Sequence, residues 1–505
     1  SDELIQLDWY EIEYERRLEF SDRMLEFLLQ GGGEIRRYIV GNVLKSTIEV
    51  FDTTDPWHTV QLVDAVYDGI SKTLDFQVDP RVVGYSRITL QDPSAYRKVT
   101  SIVKKNRSDL RNPHNGADYI VVSHKTFLEE AKRLAEWRSR DSVIDPLKSM
   151  TVDVADIYDE FNWGVFDPTA IRDYLAYARS SYSPGLRYCL LFGDTTYKYK
   201  NITSSQTSKN YIPTFTWKDV ATDDFYTWND QTNSPTFAIG RFCVNTPEEA
   251  RILVDKTIEY ERNPEPGQWS NRVLLIADDE RNENGQGQET EFSRDTESFD
   301  RNERYGIPMW LDRVKIMEIE YPLKNYLKPD ATEALLAAYN NGAAISMYIG
   351  HGNKDLLSHE HILVGPRDIE QFNNGGRQSL FIVASCSVGS FDRIDYTSLS
   401  ELLHLRKNGG CIAVISATRE TFNASNIELV RAFYPYLFGT KNNPEYRIGR
   451  ALELAKQNPT RTDISDNYFN RYLIFGDPAT RLMIPRYRFS VAPVDSLRRL
   501  AKVPL

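Results

Sequence analysis

Two patterns of apolar and polar residues divide this chain of 505 residues. Up to about Pro113, short segments alternate between apolar and polar residues with a period of two, as in 46–51 and 73–78. Gly, Pro and Asp residues separate these segments and favour turns between strands. The pattern predicts a small antiparallel β-sandwich domain over residues 1–115, to which we assign no functional site.

From residue 116 onward, short continuous apolar runs alternate with segments of helical periodicity. Such runs are typical of strands that are buried on both faces of a parallel sheet and connected by helices. Residues 247–261 are a helix candidate with acidic residues in the first turn, and Asp330 is a candidate cap for a helix over 331–339. The predicted strands are 119–122, 151–154, 188–192, 273–277, 343–349, 380–384 and 411–415. The predicted fold class is therefore α/β with a parallel sheet.

A segment rich in Pro and Gly, Arg262–Trp269, is a candidate linker inside this α/β region. It predicts one subdomain over 116–268 and a second over 269–485. Beyond Pro485 the chain returns to alternating apolar and polar residues. We interpret 486–505 as the start of a further β module or as a tail.

Charge and composition exclude several kinds of function. The net charge is −11 and the pI is near 5.4, which disfavours a nucleic-acid partner because such a partner calls for a clustered basic face. No run of 18 apolar residues is present, so no membrane-spanning helix is predicted. The cysteines lack the paired short spacings of a zinc site. They are Cys189, Cys243, Cys386 and Cys411.

Candidate chemistry lies at the carboxyl ends of the predicted strands, where the reactive groups of an open parallel sheet gather. The strand 273–277 is followed by acidic residues at 278–280, the strand 343–349 by His351, and the strand 380–384 by Cys386. A carboxylate, a histidine and a cysteine are therefore expected at one edge of one sheet.

Cys386 and His351 together indicate nucleophilic catalysis. A neighbouring imidazole stabilises a thiolate and can later protonate a leaving amine. A lone Cys at a strand end is more often a buried thiol, but His351 lies between two glycines, which leave the ring exposed and leave room for a substrate. The backbone amides of Gly352 and Cys386 are the expected donors to a developing oxyanion.

The remaining histidines are weaker candidates. His359 and His361 form a His-x-His pair that a metal site could use, but no Cys or Asp lies at a convincing spacing. We therefore interpret the segment as a polar loop. A nucleotide-binding function is disfavoured because no Gly-rich phosphate loop follows a first strand.

Six segments, in order over about 116–485, resemble the gingipain family of cysteine peptidases, whose fold is caspase-like. They are Gly240–Glu249, Arg272–Asp279, Gly350–Asn353, Val383–Asp392, Gly409–Arg419 and Phe475–Leu482. The resemblance implies that His351 and Cys386 form the catalytic dyad. It also implies a third catalytic residue, a carboxylate directly after Ala277, for which Asp279 is favoured and Glu280 is the alternative.

The same resemblance implies further features of the site. Thr418 to Phe422 matches the segment that walls the S1 pocket of gingipains, so Thr418 and Phe422 are the expected substrate-binding residues. The acid that gives gingipains their preference for arginine or lysine has no clear match, since Glu289 and Glu291 lie near its position but not at it, and that preference is therefore not inferred. No cofactor is required, although gingipains bind calcium. Loop acids that could take part, or could simply be solvated, are Asp194, Asp223 and Asp224.

The β segments around the peptidase region are most similar to the branch of the family that acts as signal peptidase in type IX secretion. That similarity implies removal of C-terminal secretion signals from cargo proteins at the outer membrane and cell surface. It also implies possible sortase-like transpeptidation onto lipopolysaccharide and an outer-membrane β-barrel partner. The alternatives are a secreted general protease of gingipain type and a caspase-like binding scaffold without activity.

Overall fold

The computed structural model describes residues 11–12, 17–30, 34–79, 84–105, 108–140, 144–200, 209–229, 234–279, 291–301, 306–439, 447–457 and 468–485. The chain forms two compact units, Ser1–Asn106 and Arg107–Leu505. The predicted β module at 486–505 and the alternative catalytic acid Glu280 lie outside the described residues.

The first unit is built from antiparallel strands. They are β1 (Met24–Gln30), β2 (Arg36–Val40), β3 (Glu49–Asp52), β4 (Val60–Leu62), β5 (Val66–Asp68), β6 (Thr73–Val78) and β7 (Tyr85–Gln91). Two sheets, with the orders β1-β7-β3-β4 and β2-β6-β5, share one apolar core. Alternate residues such as Leu25, Leu74 and Ile88 are buried in it. The predicted β-sandwich is confirmed.

The second unit holds the helices and the remaining strands. The helices are α1 (Leu128–Arg138), α2 (Val154–Asn162), α3 (Pro168–Ser181), α4 (Pro247–Arg262), α5 (Glu291–Arg301), α6 (Pro329–Asn340), α7 (Leu399–Leu405), α8 (Asn423–Leu437) and α9 (Ile448–Lys456). The strands are β8 (Tyr119–Ser123), β9 (Ser149–Asp153), β10 (Tyr188–Phe192), β11 (Phe215–Trp217), β12 (Val220–Thr222), β13 (Ala238–Phe242), β14 (Arg272–Ala277), β15 (Asp312–Met317), β16 (Ile345–Ile349), β17 (Leu356–Leu357), β18 (Leu363–Val364), β19 (Ser379–Ala384), β20 (Cys411–Ala417) and β21 (Tyr472–Phe475).

A ten-stranded sheet organises this unit, in the order β15-β14-β16-β19-β20-β21-β13-β10-β8-β9. The pairings are parallel except for β20 with β21, so the strands on the two sides of that pair run in opposite directions. The predicted α/β class is confirmed. The seven predicted strands are all members of this sheet. Because the sheet continues across the predicted boundary at 268/269, the two predicted subdomains share it.

Burial on both faces explains the continuous apolar runs. Along β14, Leu275 and Ala277 face one core, together with α8 and α9, while Leu274 and Ile276 face the other core on the side of α6 and α7. No helix among the described residues is long and apolar enough to cross a membrane.

Candidate active site

Strand register brings the segments that carry His351 and Cys386 to the same edge of the sheet. Ala277 of β14 pairs with Ile349 of β16, and Ile349 pairs in turn with Ala384 of β19. His351 and Cys386 each lie two residues beyond this paired row, at the carboxyl ends of neighbouring parallel strands. Such strands are about 4.8 Å apart. The expectation that both residues leave one edge of one sheet is therefore met.

The glycines on either side of His351 are needed for close packing. A Cβ atom at Gly350 would lie 2.2 Å from Cβ of Asp278, and one at Gly352 would lie 2.6 Å from Oγ of Ser385. Even the smallest side chain would push the β16 end away from its neighbours. His351 itself is exposed, as expected from the sequence.

Cys386 is partly exposed, and its thiol contacts the segment that follows β20. The Sγ atom donates to the carbonyl oxygen of Thr421 at 3.2 Å and lies 3.4 Å from the Thr421 backbone nitrogen. Ser387 directly after it has a φ of 52°, in the left-handed region, and donates its N–H to the carbonyl of Arg419. Thr421 lies inside the segment 418–422 that the resemblance assigns to the S1 pocket, but nothing in the sequence predicts its contact with a cysteine 35 residues away.

The other cysteines are different in character. Cys189, Cys243 and Cys411 are buried. Burial raises the pKa of all three thiols, and that of Cys411 is raised to about 12. These side chains stay protonated at neutral pH, which leaves Cys386 as the accessible thiol.

The backbone of His351 is fixed from two sides. Its N–H donates to Oδ2 of Asp278 at 2.8 Å. Its carbonyl oxygen accepts from the Tyr348 hydroxyl at 2.6 Å and from the Ser358 N–H at 2.9 Å. The carboxylate that directly supports the histidine is thus Asp278, through the main chain.

Aromatic side chains hold the imidazole of His351. The Phe292 ring meets it edge-on, with ring centroids 5.3 Å apart. The His359 ring stacks on it, with centroids 4.7 Å apart and an angle of 25° between the planes. Neither side chain was identified as part of the site from the sequence. The position of His359, eight residues after His351, is a sequence signal that could have indicated its proximity to the site.

Asp279, the predicted third catalytic residue, is buried and forms an ion pair with the ammonium group of Lys328. Lys328 comes from the start of α6 and is also buried. The orienting role of Asp279 toward the imidazole stays a prediction, as does that of its alternative, Glu280.

Two glutamates share the burial site of Asp278 and Asp279. Glu318 and Glu360 are 0% and 2% exposed, and burial together with the neighbouring carboxylates raises the pKa of each. The pKa of Glu360 is raised to about 7. Protonation and the Lys328 cation therefore both reduce the negative charge of this acidic cluster, which consists of Asp278, Asp279, Glu318 and Glu360.

Two backbone amides are available at the dyad. Within the described part of the chain, neither Gly352 nor Cys386 donates its N–H to an acceptor. Gly352 faces Leu357 in an isolated bridge whose hydrogen bonds are made by the flanking residues His351 and Asn353. Both amides can therefore serve the oxyanion role predicted for them, which stays a prediction.

The two predicted substrate-binding residues have different environments. Thr418 is completely buried, and its hydroxyl donates to the carbonyl of Ala221 at 2.8 Å. Phe422 is 63% exposed and directly follows Thr421, the residue in contact with Cys386. Of the two, Phe422 is exposed to solvent and Thr418 is buried, and the substrate-binding role of both stays a prediction.

The acids considered for calcium are held by other side chains. Asp223 binds the Arg241 guanidinium at 2.7 Å, and Asp224 binds the Lys456 ammonium at 2.6 Å. Asp194 accepts from the Asn245 amide at 2.8 Å. Each of the three acids thus already has a side-chain partner, and calcium binding stays a prediction.

The sheet, with a cysteine and a histidine at the ends of neighbouring strands, defines a caspase-like α/β protein with a thiol–imidazole site. Residues 112–483 match peptidase family C25, and the chain belongs to that family. The matched residues include the dyad and the ten-stranded sheet.

Curated relatives are gingipains of Porphyromonas gingivalis. Gingipain R2 of strain W83 is 22% identical over 306 residues, which cover 59% of this chain and 36% of that protein. Gingipain R1 is likewise 22% identical over 306 residues, which cover 59% of this chain and 27% of that protein. The chain thus spans well under half the length of these relatives.

Solved structures with the same fold include a gingipain and PorU. The crystal structure of the Arg-specific proteinase gingipain R (RgpB) has a TM-score of 0.57 and 20% identity, covering 75% of this chain and 80% of that one. The dimeric latent PorU of Porphyromonas gingivalis has a TM-score of 0.52 and 20% identity, covering 93% of this chain and 40% of that one. The resemblance to the gingipain family found in the sequence is confirmed.

Proposed function

We propose that the protein is a cysteine endopeptidase in which Cys386 is the nucleophile. The observation that supports the proposal is the register of β16 and β19, which brings the ends of the two strands that lead to His351 and to a partly exposed thiol to one edge of the sheet. Sγ of Cys386 attacks the carbonyl carbon of a peptide bond. The C–N bond then breaks and leaves a thioester on the enzyme.

His351 manages the proton in both halves of this reaction. As imidazolium it stabilises the thiolate and then gives its proton to the departing amine. In the second half it takes a proton from water, which attacks the thioester, releases the acid and restores the thiol. The amides of Gly352 and Cys386 stabilise the negative oxygen in each tetrahedral intermediate. No step of this chemistry requires a cofactor.

We further propose that the substrates are secreted proteins whose C-terminal signals are removed at the cell surface, in the context of type IX secretion. Support comes from the similarity to PorU over 93% of this chain, against 75% for RgpB. An amine that reaches the thioester before water would give sortase-like transpeptidation, with surface lipopolysaccharide as the proposed acceptor. An outer-membrane β-barrel is the proposed partner.

The test compares wild-type protein with Cys386→Ala on two substrates. One is a cargo protein that carries a C-terminal type IX signal, and the other is unfolded casein, a general protease substrate. We expect the wild type to release the signal at one bond and to leave casein largely intact, and the variant to do neither.

Each other outcome identifies an alternative. Rapid digestion of casein would identify a general protease of gingipain type. Cleavage by the Cys386→Ala variant would contradict the mechanism. Inactivity of the wild type on both substrates, with Cys386 still reactive toward iodoacetamide, would contradict the proposed substrates. An added amine nucleophile recovered on the cleaved cargo would establish transpeptidation.

A further inference from the structure

The segment between β17 and β18 brings a second imidazole to the dyad. This hairpin tip, Ser358–His361, places His359 on the face of the His351 ring, at the centroid distance of 4.7 Å and the angle of 25° given above. The next residue, Glu360, turns the opposite way into the acidic cluster and is 2% exposed. Two consecutive residues therefore contact different parts of the site: His359 contacts the imidazole of His351, and Glu360 lies among the buried carboxylates.

Main-chain contacts fix the position of the tip. Ser358 donates its N–H to the carbonyl of His351 at 2.9 Å, and Lys328 donates its N–H to the carbonyl of Glu360 at 3.3 Å. Ser358 and His361, at the two ends of the tip, both have left-handed backbone, with φ of 58° and 60°. The stack is thus the consequence of a defined turn that is tied to the end of β16 and to α6.

We propose that His359 is a positioning residue for the catalytic imidazole, and that it must be neutral to act. This inference rests on the proposed cysteine-peptidase chemistry. As a neutral ring, His359 limits rotation of the His351 ring and offers its π face to the imidazolium that forms when Cys386 ionises. As an imidazolium, it would place a second positive charge against the first and disfavour the thiolate–imidazolium pair.

Among the described residues, the titratable and charged groups near the stack come from five other elements and from the tip itself. His351, after the end of β16, lies against His359, and Cys386 follows the neighbouring strand β19. Behind the His351 backbone lies the acidic cluster, with Asp278 and Asp279 after β14, Glu318 after β15, Glu360 on the tip and the Lys328 cation from α6. Histidine is the side chain whose charge ordinarily changes between about pH 5 and 8, so a charge-dependent role must show in that range.

The test measures the rate of iodoacetamide reaction at Cys386, and kcat and KM for a cleaved peptide, across that pH range. His359→Phe keeps a stacking ring but cannot be protonated. His359→Ala removes the ring. His361→Asn is the matched control, because it removes an imidazole from the same tip and Asn tolerates left-handed backbone.

We expect His359→Ala to lower the alkylation rate and kcat roughly three- to tenfold at pH 8, with little change in KM. His359→Phe should restore both at pH 8. It should also lose much less activity than the wild type when the pH falls to about 5.5. His361→Asn should follow the wild type throughout.

Two results would overturn the proposal. One is His359→Phe behaving like His359→Ala at pH 8. The other is His359→Phe following the wild-type pH profile. Melting temperatures of all variants show whether the exposed His359 contributes only to stability. Alkylation of Cys386 is read without any peptide, so this test keeps its meaning even if the proposed peptidase activity fails.

Discussion

At the scale of single residues, the site depends on close packing around Gly352, where a side chain would not fit. Gly352 lies so close to Ser385 that an added Cβ would fall 2.6 Å from its hydroxyl oxygen. The same glycine provides one of the two proposed oxyanion donors. A change of this residue therefore tests packing and catalysis together.

We predict that Gly352→Ala lowers kcat much more than it lowers stability. The methyl group displaces Ser385 and with it the adjacent Cys386, whereas a local overpacking of this kind costs about 1–3 kcal/mol of the free energy of unfolding. Removing the opposing hydroxyl in the double variant Gly352→Ala with Ser385→Ala should recover part of the activity. Peptide kinetics and urea denaturation measure the two effects, and a double variant no more active than the single one would contradict the steric explanation.

The buried pair Asp279–Lys328 gives a second prediction at this scale. Asp279→Asn leaves the Lys328 ammonium buried without its countercharge, so the free energy of unfolding should fall by about 3 kcal/mol. Turnover should fall as well if Asp279 is the predicted orienting acid. Lys328→Met breaks the same pair from the other side and should lower stability without the same loss of turnover.

Equal losses of turnover in Asp279→Asn and Lys328→Met would mean that Asp279 acts on the fold alone. Asp278→Asn and Glu280→Gln complete the series. A large loss of turnover confined to one of them would move the role of third catalytic residue to that position.

At the scale of elements, sequence reasoning was accurate where one physical effect dominates. The strands at 273–277, 380–384 and 411–415 were predicted because burial on both faces demands an unbroken apolar run. The strand β13 was missed because its centre contains Gly240 and Arg241. The Arg241 side chain is buried, and it donates hydrogen bonds to Asp223 and to the carbonyls of Gly193 and Ile212. No local sequence pattern indicates such partners.

Helix ends show the same limit. The helix predicted over 331–339 is α6, but Lys328 precedes it as the cap residue and Asp330 lies inside the first turn. The predicted cap was wrong because Pro329, at the first helical position, starts the helix two residues earlier than predicted. The error matters for the site, since this start is what delivers Lys328 to Asp279.

The β17–β18 element carries a prediction about pH. The folded protein holds Glu360 with a pKa of about 7, above the ordinary value of 4.5 for a free glutamate, because the side chain is buried beside other carboxylates. Between these values the folded state binds a proton that the unfolded state has released, so stability falls as the pH rises from about 4.5 to about 7.

Glu360→Gln should therefore raise the free energy of unfolding at pH 8 by about 1–3 kcal/mol and change it little at pH 4.5. Urea denaturation of both proteins at the two pH values measures the effect. Equal differences at both pH values would show that the ionisation of Glu360 is not the cause. Glu333→Gln, at an exposed position of the neighbouring helix α6, is the matched control for the loss of a carboxylate outside the acidic cluster.

At the scale of the whole molecule, the candidate site lies at the ends of four neighbouring strands of one sheet, β14, β16, β19 and β20. The placement of His351 and Cys386 at one edge could be predicted because the ends of parallel strands meet there, which is a property of the fold class, and their catalytic role stays a prediction. The sequence could not predict the support around the dyad. Phe292, His359 and Thr421 reach the site from separate loops and helices, and their approach depends on the tertiary packing of the entire unit.

The central claim is that Cys386 is a nucleophile activated by His351. The most direct measurement is the rate of iodoacetamide reaction at each cysteine near neutral pH, followed by mass spectrometry in wild type and in His351→Ala. The account predicts that folded wild-type protein is labelled rapidly at Cys386 while the buried Cys189, Cys243 and Cys411 stay unlabelled, and that the substitution slows labelling of Cys386 strongly. Equal rates at Cys386 in the two proteins would contradict the account.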